Sequence, residues 1–524
     1  MQQPRHASRS LALAALAALA LTACGGGGGS NGTTMAAAGW TSGVFAPAAN
    51  FAAQCIAPRT GTDPATNRPY PDRAGSALSE NNWLRSWSND LYLWYGEIVD
   101  RDPASFATPA DYFKVLKTTA LSASGAAKDK FHFTYDSAQW YALSGSGVSA
   151  GYGAQWEVVA RSPPREVRVA WVEPLATGAA TEATLGRGAL LLQVDGVDVV
   201  NGSNTTVLNA GLFPSAAGQA HSFVVQGPGL LPQRTITLVS ASITSTPVLA
   251  TAAITTPTGK VGYLQFNDHI ATAEAQLAAA FTTLRNAGVN DLVLDIRYNG
   301  GGYLDIASEV AYMVAGNAAT AGRTFELTQF NSKYPSIDPV AGGAITPVGF
   351  HAGAQGFSLP SGQALPTLNL ARVFVLTGGG TCSASEAIIN GLRGVGVQVI
   401  QFGSTTCGKP YGFYPQDNCG TTYFTIEFRG VNAANFGDYT DGFTPQNANN
   451  TIAASARLPG CSVADDFAHA LGDPLEGRLA SALAYRDFGN CPVASGMAPR
   501  QLQAQRAGGL ELAVPEVRRL RILR

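Results

Sequence analysis

The stretch L-V-L-D-I-R-Y-N-G-G-G-Y-L-D-I-A-S-E-V-A-Y-M-V-A, Leu292 to Ala315, decides the fold class. Leu292–Ile296 is an apolar run broken only by Asp295, as expected of a strand buried on both faces. Glycines follow as a turn, and Tyr303–Ala315 then has helical spacing. The alternation continues on both sides. Val261–Phe266 reads as a strand, and Ala273–Ala287 as a helix with Leu277, Phe281 and Leu284 on one face and Gly288 as its C-cap. Val373–Thr377, Val397–Gln401 and Thr421–Phe428 read as strands, and Ser385–Leu392 as a helix. Apolar strands alternating with helices predict an α/β layer structure with a largely buried sheet.

Upstream the character changes. From Gly147 to Ile243 the chain carries short β-rich runs: Trp156–Ala160, Val167–Val172, Leu190–Val194, Ser222–Val225 and Thr235–Val239. They suit a small six-strand module. Before it, Trp83, Leu84, Trp87, Leu91 and Trp94 recur at helix spacing and predict the apolar face of a small helical cap, Leu78 to Leu143. The expected organisation is a signal at 1–24, a tether at 25–73, the cap at 74–146, the β-rich module at 147–245, the α/β core at 246–456, and a C-terminal segment with a loosely held basic tail at 457–524.

Composition narrows the function. Of 524 residues 13% are charged, about half the usual share, and the formal net charge is −2. No basic field therefore points to nucleic acid. Apolar residues at 46% can build a large core, which excludes wholesale disorder, and the 59 glycines show no G-X-Y period. Arg5 and Arg9 precede an Ala/Leu run from Leu11 to Leu21, too short to span a bilayer and expected to be an export signal. It ends in L-T-A-C, Leu21 to Cys24, which resembles the bacterial lipobox and implies lipidation of Cys24. Gly25 after that cysteine resembles outer-membrane sorting if the source is Gram-negative. Gly25–Gly29 open a flexible tether. Six further cysteines, Cys55, Cys382, Cys407, Cys419, Cys461 and Cys491, form an even set that suggests disulfides in an exported chain. Nearness in sequence favours Cys407–Cys419 and Cys461–Cys491, while Cys382 could lock its turn through a disulfide. No C-x-x-C occurs, so neither a zinc nor a redox site is expected.

Three short motifs carry chemistry. T-C-S-A-S-E, Thr381 to Glu386, follows a strand and a glycine turn. Its first serine would stand at a helix N-terminus, where unpaired N–H groups favour negative charge. Ser383 there is either a nucleophile or half of a capping box with Glu386. Y-N-G-G-G, Tyr298 to Gly302, either supplies backbone donors to a developing oxyanion or is a plain turn. C-G-K-P, Cys407 to Pro410, offers Lys409, which is a solvated surface group unless burial favours its neutral, basic form.

Taken together, the chain resembles the carboxyl-terminal processing (tail-specific) serine peptidases. G-Y-L-Q-F at Gly262–Phe266, L-D-I-R-Y-N-G-G-G at Leu294–Gly302, C-S-A-S-E at Cys382–Glu386 and F-G-S-T-T-C-G-K at Phe402–Lys409 are similar to that family's successive motifs. G-Y-G-A-Q-W at Gly151–Trp156 and L-G-R-G-A-L-L-L-Q-V-D-G at Leu185–Gly196 resemble a PDZ domain. The resemblance implies a mixed, multi-domain α/β fold with a ClpP/crotonase-like core. It implies Ser383 as nucleophile, Lys409 as base, and an oxyanion hole from Ala384 with Gly302 first and Gly301 second. It also implies a carboxylate-binding loop at Gly151, Tyr152, Gly153 and Ala154. One departure stands out: where many members place a Gln that orients the lysine, this chain has Phe413. Distant relatives use serine with histidine and an acid, for which His132 and Asp441 are the candidates.

The expected function is a lipid-anchored envelope serine endopeptidase that recognises protein substrates near their C-termini, without metal, cofactor or nucleic acid. The alternatives are a non-catalytic peptide-binding lipoprotein on the same scaffold, which Phe413 favours, and a carbohydrate-binding module.

Overall fold

Six strands form the central sheet in the order in which the chain makes them: β1 Val248–Thr256, β2 Gly259–Phe266, β3 Asp291–Asp295, β4 Arg372–Thr377, β5 Gln398–Gly403 and β6 Gly460–Ser462. β1 and β2 are an antiparallel hairpin, and every later neighbour is parallel. Leu264 lies beside Leu294, Leu294 beside Val375, and Phe374 beside Ile400. The crossovers contain helices α1 Ala273–Ala287, α2 Leu304–Ala315 and α3 Ala384–Gly394, and α4 Gly477–Phe488 follows the last strand. The computed structural model describes residues 40–492, 510–513 and 521–522, apart from 65, 123, 175–184, 229–231 and 449–450. The expected signal and Cys24 lie outside the described residues.

The strands are apolar throughout because both faces are covered. Leu264, Leu294, Val375 and Val399 pack against Leu277, Phe281, Val310 and Ile388 of α1, α2 and α3. The alternate residues Tyr263, Val293, Phe374 and Phe402 pack against Leu479 and Ala482 of α4. The sheet thus extends past residue 456, where the sequence reading closes the core. β6 has only three residues, too few to give a strand pattern. The predicted strand Thr421–Phe428 is also corrected. Thr421–Phe424 pairs with Phe133–Asp136, and Phe428–Val431 joins a separate small sheet with Thr324–Gln329 and Tyr411–Gly412.

The β-rich region holds an antiparallel sheet ordered Gln233–Val239, Ala220–Gln226, Leu190–Val194, Glu166–Val172, Ala154–Ala160, with Val197–Asp198 paired to Leu190–Val194, and a separate pair of strands, Val148–Gly151 with Ala241–Thr244. Each predicted run lies inside one of these strands. The N-terminal helix Ala77–Leu91 starts at a Ser76 cap and buries Trp83 and Trp87, stacked with ring centroids 5.2 Å apart. Trp94 lies beyond the helix, because the chain turns extended at Tyr92. Disulfides join Cys55 to Cys419, Cys382 to Cys407 and Cys461 to Cys491. The last is as expected. Cys407–Cys419 is replaced, because the turn holding Cys419 is brought to the N-terminal segment instead.

Candidate active site

In a parallel sheet the loops after successive strands open on one edge. Here that edge gathers residues 297–302 after β3, 378–383 after β4 and 404–409 after β5. The loops are tied together by named bonds. Thr381 Oγ1 donates to Ile296 O at 2.8 Å and accepts from Gly378 N at 2.9 Å. Asn299 O accepts from Cys382 N at 3.1 Å and from Ser385 Oγ at 3.0 Å, fixing the serine turn on the glycine turn.

Ser383 caps α3 with φ +62° and ψ −110°, a backbone conformation that L-residues rarely adopt. Ser383 N donates to Glu386 Oε2 at 2.9 Å, whereas Ser383 Oγ is buried and has no hydrogen-bond partner. The hydroxyl is therefore not spent on the cap. Ala384 is the first helical residue, so its N–H has no acceptor within the helix.

Glu386 organises more than its own helix end. Its two oxygens also accept from Thr406 Oγ1 at 2.5 Å, Gly408 N at 2.9 Å and Lys409 N at 2.8 Å. One buried carboxylate thus holds the backbone of both Ser383 and Lys409. Burial pushes its pKa up against the opposing pull of these donors. The Cys382–Cys407 bond joins the same two loops covalently. Cys382, Glu386 and Cys407 lie close together like a set of metal ligands, but the two sulfurs are bonded to each other and both carboxylate oxygens hold donors.

Lys409 is fully buried, with Nζ 4.0 Å from the ring centroid of Phe413 and 4.8 Å from that of Phe131. The position where a Gln was expected thus presents an aromatic face to the amine.

The glycine turn separates the two expected oxyanion donors. Gly301 N–H is committed to Asn299 Oδ1 at 3.0 Å, which leaves Gly302 as the turn's candidate. Gly302 has φ +143°, and a Cβ there would stand 2.3 Å from His269 O, so no other residue fits. Asn299 Oδ1 also bonds His269 Nδ1 at 3.0 Å, and Asn299 Nδ2 donates to Phe266 O at 3.0 Å. Tyr298, beside this turn, accepts from Arg187 Nη1 at 2.8 Å, and Arg187 Nη2 reaches Asp465 at 3.0 Å. Arg187 stems from the β-rich region, so that region contacts the turn directly.

His132 is a core histidine. It stacks on Phe113, Nε2 lies 2.7 Å from Phe113 O, and Nδ1 lies 3.1 Å from Thr425 Oγ1. Asp441 accepts from Ser124 Oγ. Neither is bonded to Ser383. Tyr152 is buried and donates to Gly211 O at 2.8 Å, between Gly151 at the end of one strand and Ala154 at the start of the next. Gly153 O accepts from Glu173 N at 2.7 Å.

Sequence reasoning missed the bridging role of Glu386 and the parts played by His269 and Arg187. Glu386 is visible in sequence only as a cap, a lone histidine carries no pattern, and Arg187 lies inside a stretch read for its likeness to a PDZ domain. Burial lowers the pKa of His132 to about 4 and of His269 to about 3, from the ordinary imidazole value of 6.5. The unfolded chain then binds more protons below pH 6.5, so folding stability should be complete above that pH and fall as pH drops toward 4. Each ring should cost about 2 kcal/mol between pH 6.5 and 5. Urea unfolding at pH 7 and pH 5 measures this, and equal stabilities would contradict it.

Residues 260–412 match peptidase family S41, and residues 79–135 match the peptidase S41 N-terminal domain. A carboxyl-terminal-processing protease of Picosynechococcus sp. is 29% identical over 176 residues, covering 32% of this chain and 39% of that protein. The chloroplastic C-terminal processing peptidase of Tetradesmus obliquus is 32% identical over 151 residues, covering 27% of this chain and 32% of the relative. The chain thus matches about a third of the length of these relatives. A Bacteroides fragilis structure described as an S41 protease superposes with a TM-score of 0.55 at 22% identity, over 80% of this chain and 98% of that one, and shares the fold.

Proposed function

We propose, from the match of residues 260–412 and 79–135 to peptidase family S41, that this chain is a serine endopeptidase that cleaves protein or peptide substrates through an acyl-enzyme. One observation carries the reading. Ser383, in a strained turn with a buried and uncommitted hydroxyl, is joined to the Lys409 loop by a shared carboxylate and a disulfide.

A substrate strand would lie along Gly302, adding to the local sheet. Lys409, acting as the neutral amine, takes the Ser383 proton as Oγ attacks the peptide carbonyl. The N–H groups of Ala384 and Gly302 receive the oxyanion. The tetrahedral adduct collapses, Lys409 returns the proton to the leaving amine, and the acyl ester remains on Ser383. Water, deprotonated by Lys409, then releases the acid and restores the serine. The β-rich region acts as a PDZ-like module that captures substrate C-termini at Gly151, Tyr152, Gly153 and Ala154. The chain is exported and held at the cell envelope by a lipid on Cys24. Three disulfides support an oxidising compartment, and among the described residues no helix is long and apolar enough to cross a membrane.

One observation favours a non-catalytic, peptide-binding reading: Phe413 stands where many relatives orient the lysine with a Gln, and its ring faces Lys409 Nζ. A fluorophosphonate probe separates the two. The peptidase reading expects a covalent adduct that mass spectrometry maps to Ser383, formed about 10²–10⁴-fold more slowly in Lys409→Met. A chain that stays unlabelled under conditions where it is folded is not a peptidase.

A further inference from the structure

The chain places part of itself against the candidate site. Arg521–Ile522 runs parallel to Gly302–Tyr303, with Gly302 opposite Arg521 and Tyr303 opposite Ile522. On its other side Ile522 bridges Phe413. These two residues therefore lie between the glycine assigned to the oxyanion and the ring that faces Lys409. Ile522 is 2% exposed and fills an aromatic pocket of Trp140, Phe413, Phe424 and Tyr303.

A second grip lies upstream. Leu512 is 1% exposed and belongs to the core of the β-rich module. Its N–H donates to Arg161 O at 3.3 Å, Ala513 N donates to Asn209 Oδ1 at 3.0 Å, and Arg165 Nε donates to Leu510 O at 3.0 Å. The tail expected to be loosely held is thus anchored at both described points. Leu512 supplies an apolar anchor to the module, and Ile522 supplies a strand and an apolar anchor to the site. A substrate captured by the module and presented to the serine would have to make the same two kinds of contact. Extended peptides are recognised in this way, main-chain pairing giving affinity and a side-chain pocket giving specificity.

We propose that the aromatic pocket around Ile522 is a substrate subsite for a bulky aliphatic side chain, and that residues 510–513 and 521–522 hold the substrate path as an intramolecular competitor. This deepens the peptidase reading and rests on it for the word substrate. It makes the folded chain self-inhibited toward extended peptides, and it names the preferred peptide as one with large aliphatic residues at both grips.

The test has a binding arm that needs no catalysis. A fluorescein-labelled peptide of residues 508–522 is titrated into the full chain carrying Ser383→Ala, with and without Leu512→Asp and Ile522→Asp, and anisotropy is read. The displaced chain should bind the peptide at least tenfold more tightly than the chain with its native segment. A peptide with Asp at the position of Ile522 should bind at least tenfold more weakly. Equal binding by the two chains, or no binding by either, overturns the proposal. The activity arm uses the otherwise native chain with Ile522→Asp, or Ile522→Ala if the charged variant shows a broadened melt. kcat/KM on an unfolded protein should rise at least fivefold, mainly through KM, and the peptide should compete. Cleavage that is unaltered by either variant overturns the proposal and leaves the peptidase reading standing. Peptide binding as expected in a chain that never reacts with the fluorophosphonate overturns the peptidase reading and leaves the intramolecular ligand standing.

Discussion

Ser383→Ala should yield a chain that no longer cleaves unfolded protein and is more stable than its parent. Removing a nucleophile of this kind costs on the order of 10⁶ in rate, because the remaining donors can only bind the substrate. The stability effect has the opposite sign. Ser383 Oγ is buried without a hydrogen-bond partner, so its loss orphans nothing and removes a polar group that water would have solvated. Alanine bears the same strain as serine at φ +62°, so the backbone term cancels. A gain of about 1 kcal/mol follows. Cleavage of an unfolded protein and urea unfolding, run on the same preparation, measure both. Activity within tenfold of the parent would remove Ser383 from the reaction. A loss of stability would mean that the hydroxyl has a partner in solution.

Glu386→Ala should damage the fold as much as the chemistry. The carboxylate accepts from three backbone N–H groups and one hydroxyl, drawn from the serine loop and the lysine loop. Each buried donor left unpaired costs about 1–3 kcal/mol, so the total is on the order of 5 kcal/mol even if water enters and recovers part of it. That is comparable to the whole stability of many domains. The Cys382–Cys407 bond keeps the loops joined but cannot direct their N–H groups. We expect a chain that melts far below the parent and shows no cleavage. Glu386→Gln, which keeps an acceptor but points an NH₂ at some donors, should fall between. A Glu386→Ala chain that melts with the parent would show that the carboxylate is dispensable to both loops.

The layered core was legible because a doubly covered parallel sheet writes long apolar runs, as at Leu292–Ile296 and Val373–Thr377. The β-rich runs were legible through alternation and punctuation by Gly and Pro. The serine, lysine and glycine motifs were legible by their order along the chain, and the structure brings their loops to one edge of the sheet. What escaped was set by distance in sequence. Cys419 pairs with Cys55, which no spacing argument favours. The strand Gly460–Ser462 takes its identity from its neighbour and not from its own residues. Trp94 keeps helical spacing with Trp83 and Trp87, although the helix has ended, because its ring packs on Tyr411, far along the chain. Ile522 sits in a basic stretch that resembles solvated tail until its pocket is seen. Glu386 was read for the half-turn it caps, and its reach to a second loop is tertiary.

The bond between Cys55 and Cys419 spans 364 positions and encloses the helical segment, the β-rich sheet and the glycine and serine turns in one covalent loop. A single nick anywhere inside that loop would leave both fragments attached. Such a molecule would run as intact in gel electrophoresis without thiol and as two pieces with it.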